Sequence, residues 1–416
     1  MNNQPNNEEI VSALFKKMGL TNCIKAEKFW RGLVRQFADK AESLLSSIEQ
    51  RGSGIHSNVY SIKNSSIDFA NAVASQFDIN KLKSFSVWFL NENLTIGDAV
   101  LEVGCDNGIL TCALASVFPL ISFVGIDPCA EAIAVATERA RRLGLSNIEF
   151  RVADLERYSL EADQKKFPAI IAVAVFHELI ANGQIGSDHG LMGRPNPNFG
   201  LSDHDDNWIN QKTDVPSLAS ISSLLSKDGV FVSADRWSTS TEVLRWVRLA
   251  EHQRLKFDLN ASALIEFKNE TFEKECFPVT VFSKRDAEAV RACDVLAFAA
   301  YKKFPDINVL DDNSAELLYE ALERSEVIQL EFVYKNGSGI LRTHIGLAGG
   351  AGYIYKTTSL GNRKLSVFPS VFLNEHLKKL QNDVAEILPF TTLTEKWANH
   401  HLLEQLQINP PRWKDI

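Results

Sequence analysis

The part of the chain that most constrains its fold begins near residue 97, where short apolar strands alternate with helical patterns. "AVLEVG", "SFVGID" and "AIIAVAVF" are apolar runs, and "GILTCALASVF" and "CAEAIAVATERARRLG" between them have helical spacing. Such alternation indicates a parallel sheet covered by helices on both faces, since its strands are buried on both sides. "CFPVTVFSK" at 276–284 is expected to be the last strand. The sequence therefore predicts an α/β domain over residues 91–285.

Different patterns flank this domain. Residues 8–50 place apolar side chains at helical spacing, which predicts a helical N-terminal segment. After residue 285, alternating strands surround turns such as Asn336-Gly337 and a helical pattern closes the chain, as in small α+β domains. We therefore expect a helical region at 1–90, the α/β domain at 91–285 and an α+β domain at 286–416.

Composition narrows the class of protein. The chain has 416 residues, 45% of them hydrophobic, and a formal net charge of -8, which argues against a broad surface for nucleic acid or anionic membranes. No apolar run approaches the roughly eighteen residues that span a bilayer. The first residues contain no secretory signal pattern, and the six cysteines are scattered without a CxxC pair. We expect a cytoplasmic protein with no membrane contact.

The turn after the first strand, "EVGCDNG", raises the question of its ligand. Gly104 and Gly108 with the following helix present backbone N–H groups to an anionic or dipolar group. A dinucleotide loop would require GxGxxG, but Asp106 stands in the second glycine's place and Ile109 in the third. A carboxylate there would repel a pyrophosphate, so the dinucleotide interpretation fits poorly.

The turn and the segments after it resemble the class I S-adenosylmethionine-dependent methyltransferases. "EVGCDNG" is similar to the family's first motif, and Asp127 in "VGIDPCAEAI" ends the second strand, where the family places an acidic residue on the ribose hydroxyls. Asp154 in "FRVADLE" matches the position beside the adenine amino group, and "FPAIIAVAVFHEL" matches the fourth strand and the segment that faces the methyl group. The resemblance covers about residues 85–284.

The resemblance implies a doubly wound, Rossmann-like sheet and S-adenosylmethionine as the cofactor. It implies that the cofactor is bound by Glu102, Gly104, Cys105, Asp106, Gly108, Asp127, Pro128, Asp154, Leu155 and Val175.

Asp106 departs from the glycine that such turns usually carry. If the position requires a positive φ, aspartate tolerates it at a cost of about 1–3 kcal/mol. If it requires close approach of the backbone to the cofactor, the side chain obstructs binding. A carboxylate there would also attract the cofactor's α-ammonium group, so accommodation and weakened binding both stay open.

His177 and Glu178 directly follow the fourth strand and are the candidate catalytic residues. His177 is suited to act as a general base on a hydroxyl or nitrogen, because imidazole titrates near neutrality. The other interpretation is that both residues merely open the next helix. No Asn-Pro-Pro-aromatic sequence follows the strand, which disfavours methylation of DNA adenine.

The loop at 181–214 is long for a βα connection, and we expect it to cover or select the acceptor. Its polar cluster comprises His189, Asp203, His204, Asp205 and Asp206, which suggests a divalent metal. Acidic loop runs are usually only solvated, however, so no metal site is predicted. Arg236 and Trp237 follow the fifth strand, where side chains also reach the acceptor pocket.

The expected function is methyl transfer to an oxygen or nitrogen of a small-molecule acceptor, because helical additions and a long loop enclose small substrates. One alternative is a protein or RNA acceptor that is bound by the C-terminal domain. The other is a non-catalytic protein that keeps the methyltransferase fold as a binding scaffold. A homo-oligomer is possible, with the C-terminal domain serving dimerisation or acceptor recognition.

Overall fold

The computed structural model describes residues 6–52, 58–92, 94–161, 165–177, 215–237, 240–284, 290–299, 307–309, 315–316, 319–320, 322 and 324–406. They cluster in two compact units. The first unit comprises the described residues up to Trp237 together with 249–284, and the second comprises 240–248 and the described residues from 290 onward. Within these ranges, no helix has the length and apolar character needed to cross a membrane.

Six helices precede the first strand in the described part of the chain. They are α1 (Asn7–Lys17), α2 (Ala26–Phe37), α3 (Asp39–Gly52), α4 (Val59–Lys63), α5 (Ile67–Phe77) and α6 (Ile79–Asn91). Helix α1 begins with a capping box, in which Asn6 and Glu9 satisfy each other's backbone N–H groups. Phe85 and Trp88 of α6 pack into the same core as Val100 and Ile171 of the sheet. Helix α6 and the sheet therefore share one hydrophobic core.

Among the described residues, the sheet of the first unit has eight strands. They are β1 (Ala99–Val103), β2 (Ser122–Asp127), β3 (Ile148–Val152), β4 (Phe167–Val173), β5 (Leu225–Ala234), β6 (Lys256–Phe257), β7 (Ala263–Lys268) and β8 (Lys274–Ser283). Their order is β3-β2-β1-β4-β5-β8-β6, with β7 paired to β8. Strands β1 to β5 are parallel and β8 is antiparallel to β5. The predicted α/β fold is confirmed.

Helices connect these strands. They are α7 (Ile109–Val117), α8 (Ala130–Leu143), α9 (Leu155–Glu161), α10 (Pro216–Leu224) and α11 (Ser240–His252). The strand order reverses between β1 and β4, which are neighbours, so the loops after these two strands leave on opposite faces. Ligands of open α/β sheets bind in the crevice that such a switch point creates at the carboxyl ends of the strands.

The second unit contains an antiparallel sheet, of which six strands are described, in the order β14-β10-β11-β12-β13-β9. Its strands are β9 (Ile307–Val309), β10 (Ser325–Tyr334), β11 (Ile340–Ala348), β12 (Ala351–Thr358), β13 (Arg363–Pro369) and β14 (Thr391–Ala398). Its helices are α12 (Ala292–Phe298), α13 (Leu373–Ile387) and α14 (His400–Gln405). Leu377 and Leu380 of α13 pack on Leu330 and Phe332 of β10. The C-terminal α+β architecture predicted from the sequence is thus present.

Candidate functional site

A cavity of about 340 Å³ opens in the first unit at the carboxyl ends of β1, β2, β3 and β4. This volume lies within the range of ligand pockets in proteins. Ten of the site residues predicted from the sequence line it: Glu102, Gly104, Cys105, Asp106, Asp127, Pro128, Asp154, Leu155, Val175 and His177. Gly108 does not line it. Glu178 and the loop at 181–214, including its His and Asp cluster, lie outside the described residues.

The turn between β1 and α7 requires glycine at two positions. Gly104 has φ +66 and Gly108 has φ +72, in the left-handed region that side chains disfavour. A Cβ on Gly104 would lie 2.5 Å from Cγ2 of Val175, and one on Gly108 would lie 2.7 Å from Cβ of Ala136. The two glycines therefore allow close packing of the turn, and Gly108 is also the N-cap residue of helix α7.

Asp106 also lies in the left-handed region, with φ +46. Its carboxylate has two partners from the N-terminal helices: Lys63 Nζ lies 2.7 Å from Oδ2, and Asn64 Nδ2 donates to Oδ1 at 2.7 Å. The Asp106 N–H donates to Asp127 Oδ2 at 2.9 Å. The departure from glycine is thus accommodated by the backbone conformation and compensated by a lysine that is only 3% exposed.

Asp127 occupies the end of β2 and faces the cavity. Its carboxylate accepts hydrogen bonds from the N–H groups of Asp106 and Cys129, both at 2.9 Å. Burial and the neighbouring Asp106 carboxylate raise the pKa of Asp127 to about 6. Asp127 is therefore ionised at neutral pH and keeps lone pairs free for a ligand's hydroxyl groups.

The other two strand-end acids differ in their surroundings. Glu102 is buried in β1, accepts a hydrogen bond from the Thr111 hydroxyl, and has its pKa raised to about 8, chiefly by burial and further by nearby carboxylates. Near neutral pH its protonated form predominates. Asp154 is exposed and caps α9 by accepting from the Arg157 N–H at 2.8 Å. The cavity wall thus combines a neutral acid with an exposed carboxylate.

The segment after β4 is held by a residue that the sequence analysis did not single out. Asp235, fully buried at the end of β5, accepts hydrogen bonds from the N–H groups of Val175 at 2.8 Å and Phe176 at 2.9 Å, and from the Ser233 hydroxyl. His177 Nδ1 lies 3.0 Å from Asp235 Oδ1. Because the carboxylate oxygen is an acceptor, the Nδ1–H of His177 donates this hydrogen bond, which leaves Nε2 of His177 as the acceptor nitrogen.

This segment also contains a strained residue. Ala174 has φ +59, a left-handed conformation that costs an alanine about 1–2 kcal/mol. The bonds to Asp235 hold the chain in this conformation, in which Val175 packs on Gly104 and His177 lines the cavity. Strain of this kind is concentrated at functional sites, where the surrounding structure maintains it.

Sequence reasoning missed two residues of the site, and only one of them had a recognisable sequence pattern. Asp235 could have been found, because it ends a strand in "SADRW" as Asp127 and Asp154 end theirs. Lys63 had no such pattern, because its partner Asp106 is distant in the chain.

The two residues expected after the fifth strand differ in their placement. Arg236 lines the cavity, as expected, and its Nε lies 3.2 Å from Oε1 of Glu275. Trp237 is buried and does not line the cavity.

Comparisons with known proteins agree with this architecture. Residues 94–276 match a family model described as a methyltransferase domain. The tRNA (guanine-N(7)-)-methyltransferase of Chloroflexus aggregans is 48% identical over 54 residues, which are 13% of this chain and 24% of that protein. The malonyl-(acyl-carrier protein) O-methyltransferase of Paenibacillus sp. is 32% identical over 80 residues, 19% of this chain and 29% of that protein. The chain thus spans less than a third of the curated relatives it matches.

Solved structures also resemble the chain over about half of its length. The YcgJ protein from Bacillus subtilis is 14% identical with a TM-score of 0.33, covering 49% of this chain and 99% of that one. A TehB-like SAM-dependent methyltransferase from Corynebacterium glutamicum is 17% identical with a TM-score of 0.32, covering 54% of this chain and 97% of that one. Residues 94–276 thus match a methyltransferase domain, and the strand order of the sheet agrees with the Rossmann-like fold that the sequence predicts.

Proposed function

We propose that the protein is an S-adenosylmethionine-dependent methyltransferase that acts on an oxygen or nitrogen of a small-molecule acceptor. The observation that carries the proposal is the convergence on one cavity of the glycine turn, the three strand-end acids and His177. The family generally uses S-adenosylmethionine. Methyl transfer from that cofactor requires mainly that donor and acceptor be aligned, because the sulfonium is already reactive.

The residues of the cavity fit the parts of the cofactor. Asp127, with its pKa of about 6, has lone pairs for the two ribose hydroxyls, and Asp154 and Leu155, which line the cavity after β3, are proposed to hold the adenine. Asn107 is 1% exposed, lines the cavity, and its Nδ2 has no hydrogen-bond partner within the described ranges. A buried amide donor without a partner is costly unless a ligand or water satisfies it. These features support a polar ligand at the turn.

His177 is the proposed general base. Its Nδ1 is engaged by Asp235, so its Nε2 is available to take a proton from a hydroxyl or amine in the cavity. The buried Asp235 carboxylate stabilises the imidazolium that forms, because opposite charges attract strongly where water is excluded. Glu178, the second candidate from the sequence, stays a prediction.

The cavity wall favours a small acceptor with an apolar body. Phe77 and Leu82 from the N-terminal helices and Phe277 from β8 line it, together with the Arg236 guanidinium. Helices that precede the methyltransferase domain thus narrow the space around the site. Five cysteines of the described ranges, Cys23, Cys105, Cys112, Cys129 and Cys276, are free thiols, which supports the expected cytoplasmic location.

Titration calorimetry and label transfer test this proposal. We expect heat on titration with S-adenosylhomocysteine, and transfer of a labelled methyl group from S-adenosylmethionine to the small-molecule fraction of an extract. No heat at millimolar ligand would refute cofactor binding. Label in RNA or protein would instead identify a macromolecular acceptor, and binding without transfer to any fraction would indicate a scaffold.

A further inference from the structure

The hairpin formed by β7 and β8 extends past the carboxyl end of β5. Ala234, the last residue of β5, pairs with Val279, so residues 274–278 of β8 lie beyond the end of β5. Phe277 of this extension lines the cavity, and so does Glu270 of the loop that joins the two strands. The hairpin is therefore part of the cavity wall.

The position of the hairpin in the sheet separates it from the strands that carry the proposed cofactor acids. The strand order places β2 and β3, which precede or end at Asp127 and Asp154, on one side of β1. On the other side are β4, β5 and β8, and His177 and Asp235 follow β4 and β5. The hairpin therefore borders the half of the cavity that contains the candidate base, where the acceptor is proposed to bind.

Hydrogen bonds hold the hairpin and its loop in place. Asn80 Nδ2 of α6 donates to the carbonyl of Lys268, the last residue of β7, at 2.7 Å. Within the loop, Asn269 Oδ1 accepts from the N–H group of Thr271 at 3.0 Å and from its hydroxyl at 2.8 Å. Glu270 lies between these two bonded residues. A residue on a fixed loop loses less conformational entropy when it binds a ligand.

Glu270 differs from the other charged residues of the cavity wall because it lacks a partner. The lysine and arginine side chains that line the cavity are paired with carboxylates: Lys63 with Asp106 at 2.7 Å, Lys81 with Asp78 at 2.7 Å and Arg236 with Glu275 at 3.2 Å. Within the described ranges, no hydrogen bond or ion pair engages the half-buried Glu270 carboxylate. A carboxylate that loses hydration without gaining a partner is costly, so a cation in the cavity would stabilise it.

We propose that Glu270 binds an ammonium group of the methyl acceptor, and that the acceptors are small amines with an apolar body. This inference rests on the proposed function and deepens it, because it names the substrate class of the same site. Ammonium N–H groups form charge-assisted hydrogen bonds with a carboxylate, and the ring of Phe277 supplies an apolar surface in the same wall. Glu270 would repel an anionic acceptor and would stay without a partner beside a neutral one.

Three probes of similar shape and different charge test this inference. Phenethylamine carries an ammonium group, 2-phenylethanol is neutral and 3-phenylpropionate carries a carboxylate. Each is titrated into the protein saturated with S-adenosylhomocysteine, and its Kd is measured by ligand-observed NMR. We expect phenethylamine to bind at least about tenfold more tightly than 2-phenylethanol, and 3-phenylpropionate to bind most weakly.

Two variants of the loop identify the residue responsible. Glu270→Gln should reduce the preference for phenethylamine over 2-phenylethanol to less than about threefold, and Glu270→Lys should make 3-phenylpropionate the tightest of the three. Both should keep the melting temperature of the unaltered protein, because the Glu270 side chain forms no hydrogen bond or ion pair within the described residues. Glu42→Gln, at an exposed acid of α3, is the matched control and should change no Kd.

The outcomes distinguish this inference from the proposed function. If the unaltered protein does not bind S-adenosylhomocysteine, the proposed function fails and the inference with it. If it binds that ligand but does not prefer phenethylamine, or if Glu270→Gln keeps the preference, Glu270 does not recognise an ammonium group of the acceptor. A loss of S-adenosylhomocysteine affinity in Glu270→Gln as large as that of phenethylamine would mean that the carboxylate serves the cofactor. In the last two cases the proposed function would stand without this inference.

Discussion

His177 Nδ1 lies 3.0 Å from Oδ1 of Asp235, a carboxylate that is fully buried and also accepts the N–H groups of Val175 and Phe176. One acid therefore holds both the imidazole and the backbone that carries it. Because the contact fixes which ring nitrogen bears the proton, Nε2 is the acceptor nitrogen, and it belongs to a side chain in the cavity wall. Through Asp235, the orientation of the His177 imidazole therefore depends on the strained turn after β4.

Replacing His177 tests its role as a base. We expect His177→Gln to lower kcat roughly a hundredfold or more, because a general base typically contributes that much. The Kd for S-adenosylhomocysteine, measured by calorimetry, should change less than about threefold, since the residue is not proposed to bind the cofactor. His400→Gln, at an exposed position of α14, should leave both quantities unchanged.

A double-mutant cycle tests whether Asp235 acts through His177. Asp235→Asn keeps the shape of the side chain but exchanges one acceptor oxygen for a donor. We expect it to lower kcat on its own and to lower the residual kcat of His177→Gln less than about threefold. Equal factors in both backgrounds would mean that Asp235 stabilises the turn and does not act on the imidazole.

The affinity for the cofactor should depend on the ionisation of Asp127. Burial and the adjacent Asp106 raise its pKa to about 6, and only the ionised form accepts two hydroxyl hydrogen bonds. We expect the affinity for S-adenosylhomocysteine to be constant above that pH and to fall below it, approaching about tenfold per pH unit. Asp127→Asn should bind more weakly and flatten this dependence. A flat profile in the unaltered protein would contradict the role of Asp127.

The stability of the fold should depend on the ionisation of Glu102. Burial, reinforced by neighbouring carboxylates, raises its pKa from 4.5 to about 8, so the folded state holds this proton more tightly than the unfolded state does. The corresponding stability is present below the unfolded pKa and is lost as the pH rises through about 8. The Gln side chain of Glu102→Gln cannot ionise. The melting temperature of this variant minus that of the unaltered protein should therefore increase as the pH rises. A constant difference would show that Glu102 does not titrate in this range.

Substitutions at two glycines with almost equal φ distinguish the cost of backbone strain from the cost of lost packing space. Gly108 has φ +72 and Gly144 has φ +73, but a Cβ would lie 2.7 Å from Ala136 Cβ at Gly108 and would meet nothing within 4 Å at Gly144. Gly144→Ala should cost only the left-handed backbone, about 1–2 kcal/mol of unfolding free energy. Gly108→Ala should cost about 1–3 kcal/mol more, because it overpacks the core. Denaturant unfolding measures both, and equal losses would contradict the packing role of Gly108.

Much of the fold could be predicted because its signals are local. The apolar runs of β1, β2 and β4 and the helical spacing between them are read within windows of about ten residues. The resemblance to the methyltransferases implied that Asp127, Asp154 and the glycine turn share one ligand, and Asp127, Asp154 and Gly104 all line the cavity. Parallel strands end at the same edge of the sheet, which is consistent with this placement.

Contacts between distant segments could not be predicted in this way. The Asp106 carboxylate looked like an unexplained charge in the sequence because its partner Lys63 lies in a five-residue helix with no distinctive pattern. His177 admitted two interpretations because nothing near it in the chain indicates the buried Asp235 beside it.

The sequence by itself therefore determined the α/β order of strands and helices, the glycine turn and the acids that follow the strands, because periodicity and turn chemistry act between neighbouring residues. Only the tertiary structure decided that Lys63 neutralises Asp106 and that Asp235 orients His177. Ion pairs and hydrogen bonds depend on distances of about 3 Å, and such distances between remote segments exist only after the helices have packed on the sheet.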